Sequence, residues 1–471
     1  MNSQDRLQHA WSLHQSGEVI EAESIYRDVI AKDPGHAAAY VYLGIAQHDR
    51  KLFKDSIESY RAALKFQPLF PIAWNNLGNS LRMVDQLEEA DFCFEQALRQ
   101  NPNYLSPLKN RGTLWIWAGE IERGLEWYRR ALRIVPDEPE LHRNLGVIYL
   151  LQQRYAEGWH EYRYRWHFMP EVRVSGGGKI WEGEDPSGKV FLLYPEQGIG
   201  DAIQFVRAAH SLKLAGATTV VRCDPKLLPL FSSIGGIDML IPDGLAASEM
   251  GVPDFHYQAS FIEVVDRLYG RTGALATDFA AVTMCSKAYI EVSETLAGYW
   301  GRQFQLPGLK VGICWQGNPD FHADVYRSVP LKRFASIVDV PGVNFVSLQY
   351  GYGSEQLKEV SFCSQIQKLP EGIDRSAGAF LDTAAIIRNL DLVITIDTST
   401  AHLAGALGVP VWLILGRVPD WRWREQGEVT AWYPTMRLFR QSQVGHWEEL
   451  FAEIALALSS EVRNRSIVRR L

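Results

Sequence analysis

Five prolines, Pro34, Pro68, Pro102, Pro136 and Pro170, stand 34 residues apart, and the chain between them repeats in phase. Gly44, Gly78, Gly112 and Gly146 hold the same interval, with Ala10 in the first copy. So do an aromatic series, Tyr26, Tyr60, Phe94, Tyr128 and Tyr162, and a looser small-residue series, Ala22, Ser56, Ala90, Gly124 and Gly158. A period of this length is one helix–turn–helix that cannot bury its apolar face alone, so copies must stack. Small residues let paired helices approach, the aromatic fills the space between them, and proline stops the second helix. Several independent positions keep one register over five copies. The first third of the chain is thereby restricted to a helical solenoid.

The order of small, aromatic and proline positions is similar to that of tetratricopeptide repeats, here spanning residues 1–170. A chain of 471 residues is too long for one core, so about three structural units are expected. The net charge of −7 is spread evenly: 20 basic and 22 acidic side chains in residues 1–170, 28 and 33 in residues 171–471. Neither part is basic enough to imply nucleic acid or an anionic membrane as partner. The five cysteines (93, 223, 285, 314 and 363) contain no C-x-x-C pair, which argues against a disulfide framework or a zinc site. The N-terminus lacks a signal-peptide pattern, and the longest apolar stretch, Ala404–Gly416, is too short to span a bilayer. A cytoplasmic protein is expected.

After Pro170 the period stops. Ser175-Gly-Gly-Gly178 reads as a flexible break, and a different grammar follows. Strand-like runs at Val190–Tyr194 and Thr218–Cys223 alternate with helical segments at Ala202–Leu214 and Lys226–Ile234. The pattern restarts with strands at Lys310–Trp315, Val343–Leu348, Leu392–Ile396 and Val409–Leu415, and helices at Pro330–Val338, Thr383–Asn389 and Ala401–Leu407. A stretch near residues 285–308, including Tyr289–Phe304, reads as a connector, and His446–Ser459 as a last helix that packs on either lobe. Such alternation predicts two parallel sheets covered by helices, two Rossmann-like lobes facing a cleft, with ligands outside the carboxyl ends of the strands.

Candidate chemistry clusters in three places. In Leu392-Val-Ile-Thr-Ile-Asp397-Thr398-Ser399-Thr400-Ala401-His402 an apolar strand runs through hydroxyl residues into a helix, whose first amides make an anion site. A helix end alone contributes only about 0.3–1 kcal/mol, so a pyrophosphate also wants cations. Arg327 and Lys332 are the candidates. Plain capping, a satisfied buried His402 and a solvated Arg327 are the bland alternatives. In Gly198-Ile-Gly200-Asp201 the glycines permit close backbone approach, and Asp201 is placed to act as a general base or, more blandly, as an N-cap. In Asp420-Trp421-Arg422-Trp423 the tryptophans are candidate stacking faces for a base or sugar, or pins that fix a loop to the core.

Together these motifs resemble bacterial proteins in which tetratricopeptide repeats are fused to a GT-B, heptosyltransferase-like glycosyltransferase. The likeness is carried by Trp181–Asp185, Tyr194–Asp201, Val311–Asn318, Asp397–Gly408, Asp420–Trp423 and Trp432–Gln441. It implies an α-helical repeat solenoid in 1–170, a first Rossmann-like lobe with the acceptor side in 171–300, and a nucleotide-sugar-binding lobe in 301–471. It further implies Asp201 as the base, and a donor-phosphate site drawn from Gly198, Gly200, Trp315, Asn318, Arg327, Lys332 and Asp397 to His402. The nucleotide sugar is then a substrate, no cofactor is needed, and metal is not expected. The sequence agrees on the last point, since nowhere do two aspartates stand one residue apart, as a D-x-D metal motif requires. Some relatives with this layout modify flagellin, so a protein acceptor held by the concave face of the repeats is the implied partner. The alternatives are a repeat scaffold with a catalytically dead transferase fold, and transfer to lipopolysaccharide.

Overall fold

The computed structural model describes residues 2–174, 178–244, 254–272, 288–304, 307–321, 323–375 and 378–468. They form two compact units, Met1–Leu145 and Gly146–Leu471. Most of the expected Gly-rich break (Ser175 to Gly177) and residues 285–287 and 305–306 of the expected connector, Cys285 among them, lie outside the described residues.

The first unit is a run of antiparallel helix pairs: Ser3–Gln15 with Val19–Lys32, Ala37–Asp49 with Phe53–Phe66, Pro71–Met83 with Leu87–Gln100, and Leu105–Trp117 with Ile121–Ile134. Each second helix closes two positions ahead of its proline. The intervening residues Asp33, Gln67, Asn101 and Val135 share φ of −128° to −141° and ψ of 84° to 93°, because the proline ring crowds its predecessor out of the helical region. The glycine and aromatic series meet inside each pair. A Cβ at Gly44 would lie 2.5 Å from the Tyr60 ring, at Gly78 2.7 Å from Phe94, and at Gly112 2.4 Å from Tyr128, and all three rings are buried. A further 34-residue series appears in the turns. Gly17, Lys51, Asp85, Gly119 and Gln153 all hold φ between 61° and 91°, a left-handed conformation that only glycine adopts without cost.

The fifth pair departs from the pattern. Its first helix, Pro139–Leu151, contains the boundary between the two units, and its second, Tyr155–Tyr162, is only eight residues long. The 3-10 turn Arg163–His167 follows, and Pro170 opens another at Pro170–Val172 instead of stopping a helix.

Beyond it lie two all-parallel sheets. The first contains β1 (Lys179–Ile180), β2 (Val190–Tyr194), β3 (Thr218–Cys223), β4 (Met239–Pro242) and β5 (Tyr257–Ser260), in the order β1-β5-β2-β3-β4. The second contains β6 (Leu309–Cys314), β7 (Val343–Ser347), β8 (Ile366–Gln367), β9 (Leu392–Ile396), β10 (Val411–Leu415) and β11 (Met436–Arg440), in the order β11-β10-β9-β6-β7-β8. Sheets covered on both faces demand apolar runs, and β9 is buried at every position. The last helix, Trp447–Val468, packs on the second sheet, where Leu450, Phe451, Ile454 and Leu458 join the core built on β6, β7 and β9.

Several elements differ from expectation. The helix expected at Ala202–Leu214 is two, Ile199–Phe205 and Ala208–Leu214, broken where Arg207 turns inward. The expected connector contains the helix Glu294–Gln303, held by the Trp300 indole donating to Asp382 at 2.9 Å. β4, β5 and β11 were not expected: β5 reads Tyr-Gln-Ala-Ser, and its buried polar side chains hide the strand.

Because the Gly78 site has no room, Gly78→Val should destabilise the repeat unit by about 1–3 kcal/mol, read from urea unfolding followed by circular dichroism.

Candidate functional site

In the second sheet the chain leaves β6 toward β7 and β8 on one side and leaves β9 toward β10 and β11 on the other. A crevice opens at such a reversal, outside the carboxyl ends of the two central strands. Asp397 is the first residue beyond β9, and Thr398 caps the helix Ser399–Ala406 without a side-chain hydrogen bond. The Ala401 amide donates to the Thr398 carbonyl at 3.0 Å, and the Thr398 side chain takes none of the amides before it. Asp397, Thr398 and Ser399 are half-buried, whereas Thr400 is buried and turns its hydroxyl to the Cys314 sulfur, 3.8 Å away.

Of the two candidate cations, Arg327 reaches this turn: Nη1 donates to the Asp397 carbonyl at 3.0 Å, and Nε to Asp324 Oδ1 at 2.9 Å. Lys332 is exposed in the 3-10 turn Leu331–Phe334 and is not brought to Asp397. Asn318 is exposed beside the β6 end, its Oδ1 accepting from the Asp320 amide at 3.0 Å. Trp315 is fully buried and donates its indole N–H to the Gly353 carbonyl at 3.1 Å, so its side chain belongs to the core and not to the crevice wall.

The Gly198–Asp201 loop stands at the matching reversal of the first sheet, after β2 and beside β5. Gly198 is the N-cap and Asp201 the third helical residue, which rules out Asp201 as the cap. The loop faces the other site directly: a Cβ on Gly200 would sit 3.0 Å from the His402 ring and 3.5 Å from Ser399 Cα. A buried ion pair fixes its approach. Arg165, from the 3-10 turn after the repeats, binds Glu196 through Nε at 2.6 Å and Nη2 at 3.0 Å, with both side chains 1% exposed. Ser260 Oγ donates to the same carboxylate, and Gln197 donates to the Tyr162 hydroxyl at 2.6 Å.

The residue joining the two loops is Arg422. Buried in the turn after β10, it donates to Asp201 Oδ1 through Nη2, to Gln204 Oε1 at 2.8 Å and to Asp420 Oδ1 at 2.6 Å. Arg207 crosses in the opposite sense, from the break after the Gly-loop helix to the Trp432 carbonyl at 2.8 Å. Burial, with Asp420 and Glu196, still pushes the Asp201 carboxyl above its ordinary range against the pull of Arg422. Asp397 is raised to about 6, first by burial and then by Asp420. The Trp423 indole lies close enough to oppose that shift, without a hydrogen bond of standard geometry. His402 shares a 3.0 Å hydrogen bond between Nδ1 and the Tyr433 hydroxyl, and its Nε2 lies 3.7 Å from Asp397 Oδ1. Burial, and then Arg422, Arg207 and Arg327, hold it well below the usual histidine range, so it is neutral. Three arginines thus converge here in a chain of net negative charge.

The tryptophans do not offer free faces. Trp421 packs edge-on to Trp159 at 5.4 Å and stacks on Phe205 at 6.1 Å, and Trp423 stacks on His402 at 5.5 Å; both are buried. They pin the loop. Arg422 and Tyr433 lay inside motifs visible in the sequence, but nothing local marks one arginine among 48 basic residues as buried.

Comparison with known proteins follows this division. Models described as tetratricopeptide repeat or TPR repeat match residues 7–71, 71–104 and 118–153. The N-terminal domain is built of tetratricopeptide repeats. "Protein FlbA" of Caulobacter vibrioides is 29% identical over 429 residues, covering 86% of this chain and 70% of that protein, so the likeness runs through both units. "Protein O-mannosyl-transferase TMTC1" of Homo sapiens is 28% identical over 32% of this chain, and the "Probable UDP-N-acetylglucosamine--peptide N-acetylglucosaminyltransferase SPINDLY" of Hordeum vulgare 29% over 31%. The chain spans only 18% and 16% of those two proteins. Among solved structures, a thermophilic TPR protein in Thermus thermophilus is 20% identical with a TM-score of 0.33, covering 36% of this chain and 92% of that one. No helix among the described residues is long and apolar enough to cross a membrane.

Two outcomes follow. Arg165→Met leaves the buried Glu196 carboxyl without its counter-charge, with only the Ser260 hydroxyl still donating to it, and should cost about 3–5 kcal/mol in urea unfolding, with part regained in Arg165→Met/Glu196→Gln. Asp397 has a folded pKa above its unfolded value, so its contribution is favourable below about pH 4 and is lost as pH rises through about 6. Asp397→Asn should therefore gain stability over the wild type across that window, by at most ~3 kcal/mol, read from urea unfolding at a series of pH values.

Proposed function

We propose that this chain is a glycosyltransferase of GT-B architecture that moves a sugar from a nucleotide-sugar donor to a protein hydroxyl. The observation that carries the reading is the meeting of two strand-end loops, Gly198–Asp201 and Asp397–His402, each at the reversal point of its own parallel sheet. Ligands of such sheets bind there. In this reading the Thr398–Ser399 amides and Arg327 hold the diphosphate and stabilise the charge it gains on departure. Partial protonation of Asp397 near pH 6 lessens its repulsion of that anion.

Asp201 takes the proton of the acceptor hydroxyl. The acceptor oxygen then bonds to the anomeric carbon as the carbon–oxygen bond to the diphosphate breaks, and the nucleoside diphosphate leaves with that electron pair. The reading gives no step to a metal, in keeping with the missing D-x-D spacing. The repeats hold the acceptor on their concave face. Proteins named as peptide and protein glycosyltransferases among the relatives favour that class of acceptor.

One observation favours a scaffold instead: Asp201 is already engaged by Arg422. The test is a panel of UDP-, GDP-, ADP- and CMP-linked sugars, read by thermal shift and by nucleotide released into buffer or lysate, with and without EDTA. Transfer predicts a shift with one donor class and EDTA-resistant release that Asp201→Asn reduces at least 100-fold. Binding without release supports the scaffold. No shift with any donor overturns the phosphate site.

A further inference from the structure

We infer that the Tyr350–Tyr352 turn is a stacking platform for a planar nucleobase, forming the outer end of the donor site; this rests on the transferase reading. Tyr350 and Tyr352 are 57% and 58% exposed, yet the turn that carries them is tightly fixed. Gln349 Oε1 accepts from the Trp315 and Gln316 amides at 3.1 and 2.9 Å, and its Nε2 donates to the Gln316 and Tyr352 carbonyls at 3.1 and 2.8 Å. The Trp315 indole donates to the Gly353 carbonyl, and a Cβ on Gly353 would lie 2.6 Å from Gln316. Gly351 and Gly353, at φ of 71° and 85°, turn the chain sharply around Tyr352. A rigid backbone presenting two exposed aromatic rings loses little conformational entropy when a ligand stacks on them.

Position gives the class of ligand. Along the carboxyl edge of the second sheet the order is the tyrosine turn after β7, the Arg327 loop after β6, the Asp397–Ser399 turn after β9, and the Arg422 loop, holding Asp201, after β10. A nucleotide sugar laid with its diphosphate on Thr398–Ser399 and its sugar toward Asp201 directs its base toward β7. Two strand spacings, about 10 Å, separate β9 from β7. The other aromatic candidates are taken: Trp421 and Trp423 are buried, and the face of Phe321 carries the Arg327 guanidinium at 4.5 Å.

The experiment is calorimetric titration of the full chain with UDP, GDP, ADP and CDP, and with inorganic pyrophosphate, which lacks a base. Tyr350→Ala and Tyr352→Ala should each weaken the preferred nucleoside diphosphate by about 5- to 150-fold and leave pyrophosphate unchanged, while Tyr350→Phe and Tyr352→Phe keep wild-type affinity. Equal loss of pyrophosphate affinity in the alanine variants would mean that the rings only shape the turn, and would overturn the platform. Unchanged nucleotide affinity in both would overturn it while leaving the transferase reading standing. A wild-type chain that binds no nucleoside diphosphate would overturn both.

Discussion

A guanidinium buried between two sheets must find oxygen for its N–H groups, and Arg422 finds it on both sides of the crevice. Removing a cation from water is costly unless the geometry of its partners is good. Here an aspartate from its own turn, an aspartate and a glutamine from the facing helix, and the rings of Phe205 and Trp421 share the task. The packed tryptophan loop follows from that placement, and Arg422 adds to the burial that keeps His402 neutral; Asp201 is raised by burial, Asp420 and Glu196 in spite of it. Asp201 is held at a fixed distance from the second sheet by the same contact that opposes its protonation. Any acceptor hydroxyl that uses Asp201 as a base must therefore share it with Arg422 or displace it.

The repeats were legible because their constraint is local and repeated. One glycine facing one aromatic ring, copied every 34 residues, is readable without a fold. The left-handed turn positions carry the same period without a shared residue type, since only Gly17 and Gly119 announce it. Strands buried on both faces, such as Leu392–Ile396, were readable from apolar runs, and Asp397–His402 followed as the strand-to-helix junction. β5 was not, since Gln258 and Ser260 are polar and satisfied by long-range partners: Gln258 by the Val174 backbone, Ser260 by Glu196.

Burial of single side chains was the least legible property. Trp421 and Trp423 offered the same composition whether they faced a ligand or a core, and the structure puts them in the core. Arg327 and Lys332 were equal as residue types; only the fold decides that the first reaches the Asp397 carbonyl and the second stays in solvent. Such outcomes depend on contacts between residues far apart in the chain, which no window of sequence contains.

Repeat arrays are often treated as detachable cassettes, exchanged or trimmed at the last proline. Here the short fifth pair blurs that seam. Arg165 sits before Pro170, yet its side chain is enclosed with Glu196 in the neighbourhood of the Gly198–Asp201 loop. A cut at residue 171 would remove the counter-charge from a carboxylate sealed inside the remaining piece. Recombination between relatives, and limited proteolysis of this chain, should respect a junction upstream of Gly146. The last repeat travels with the sheets, as part of their foundation.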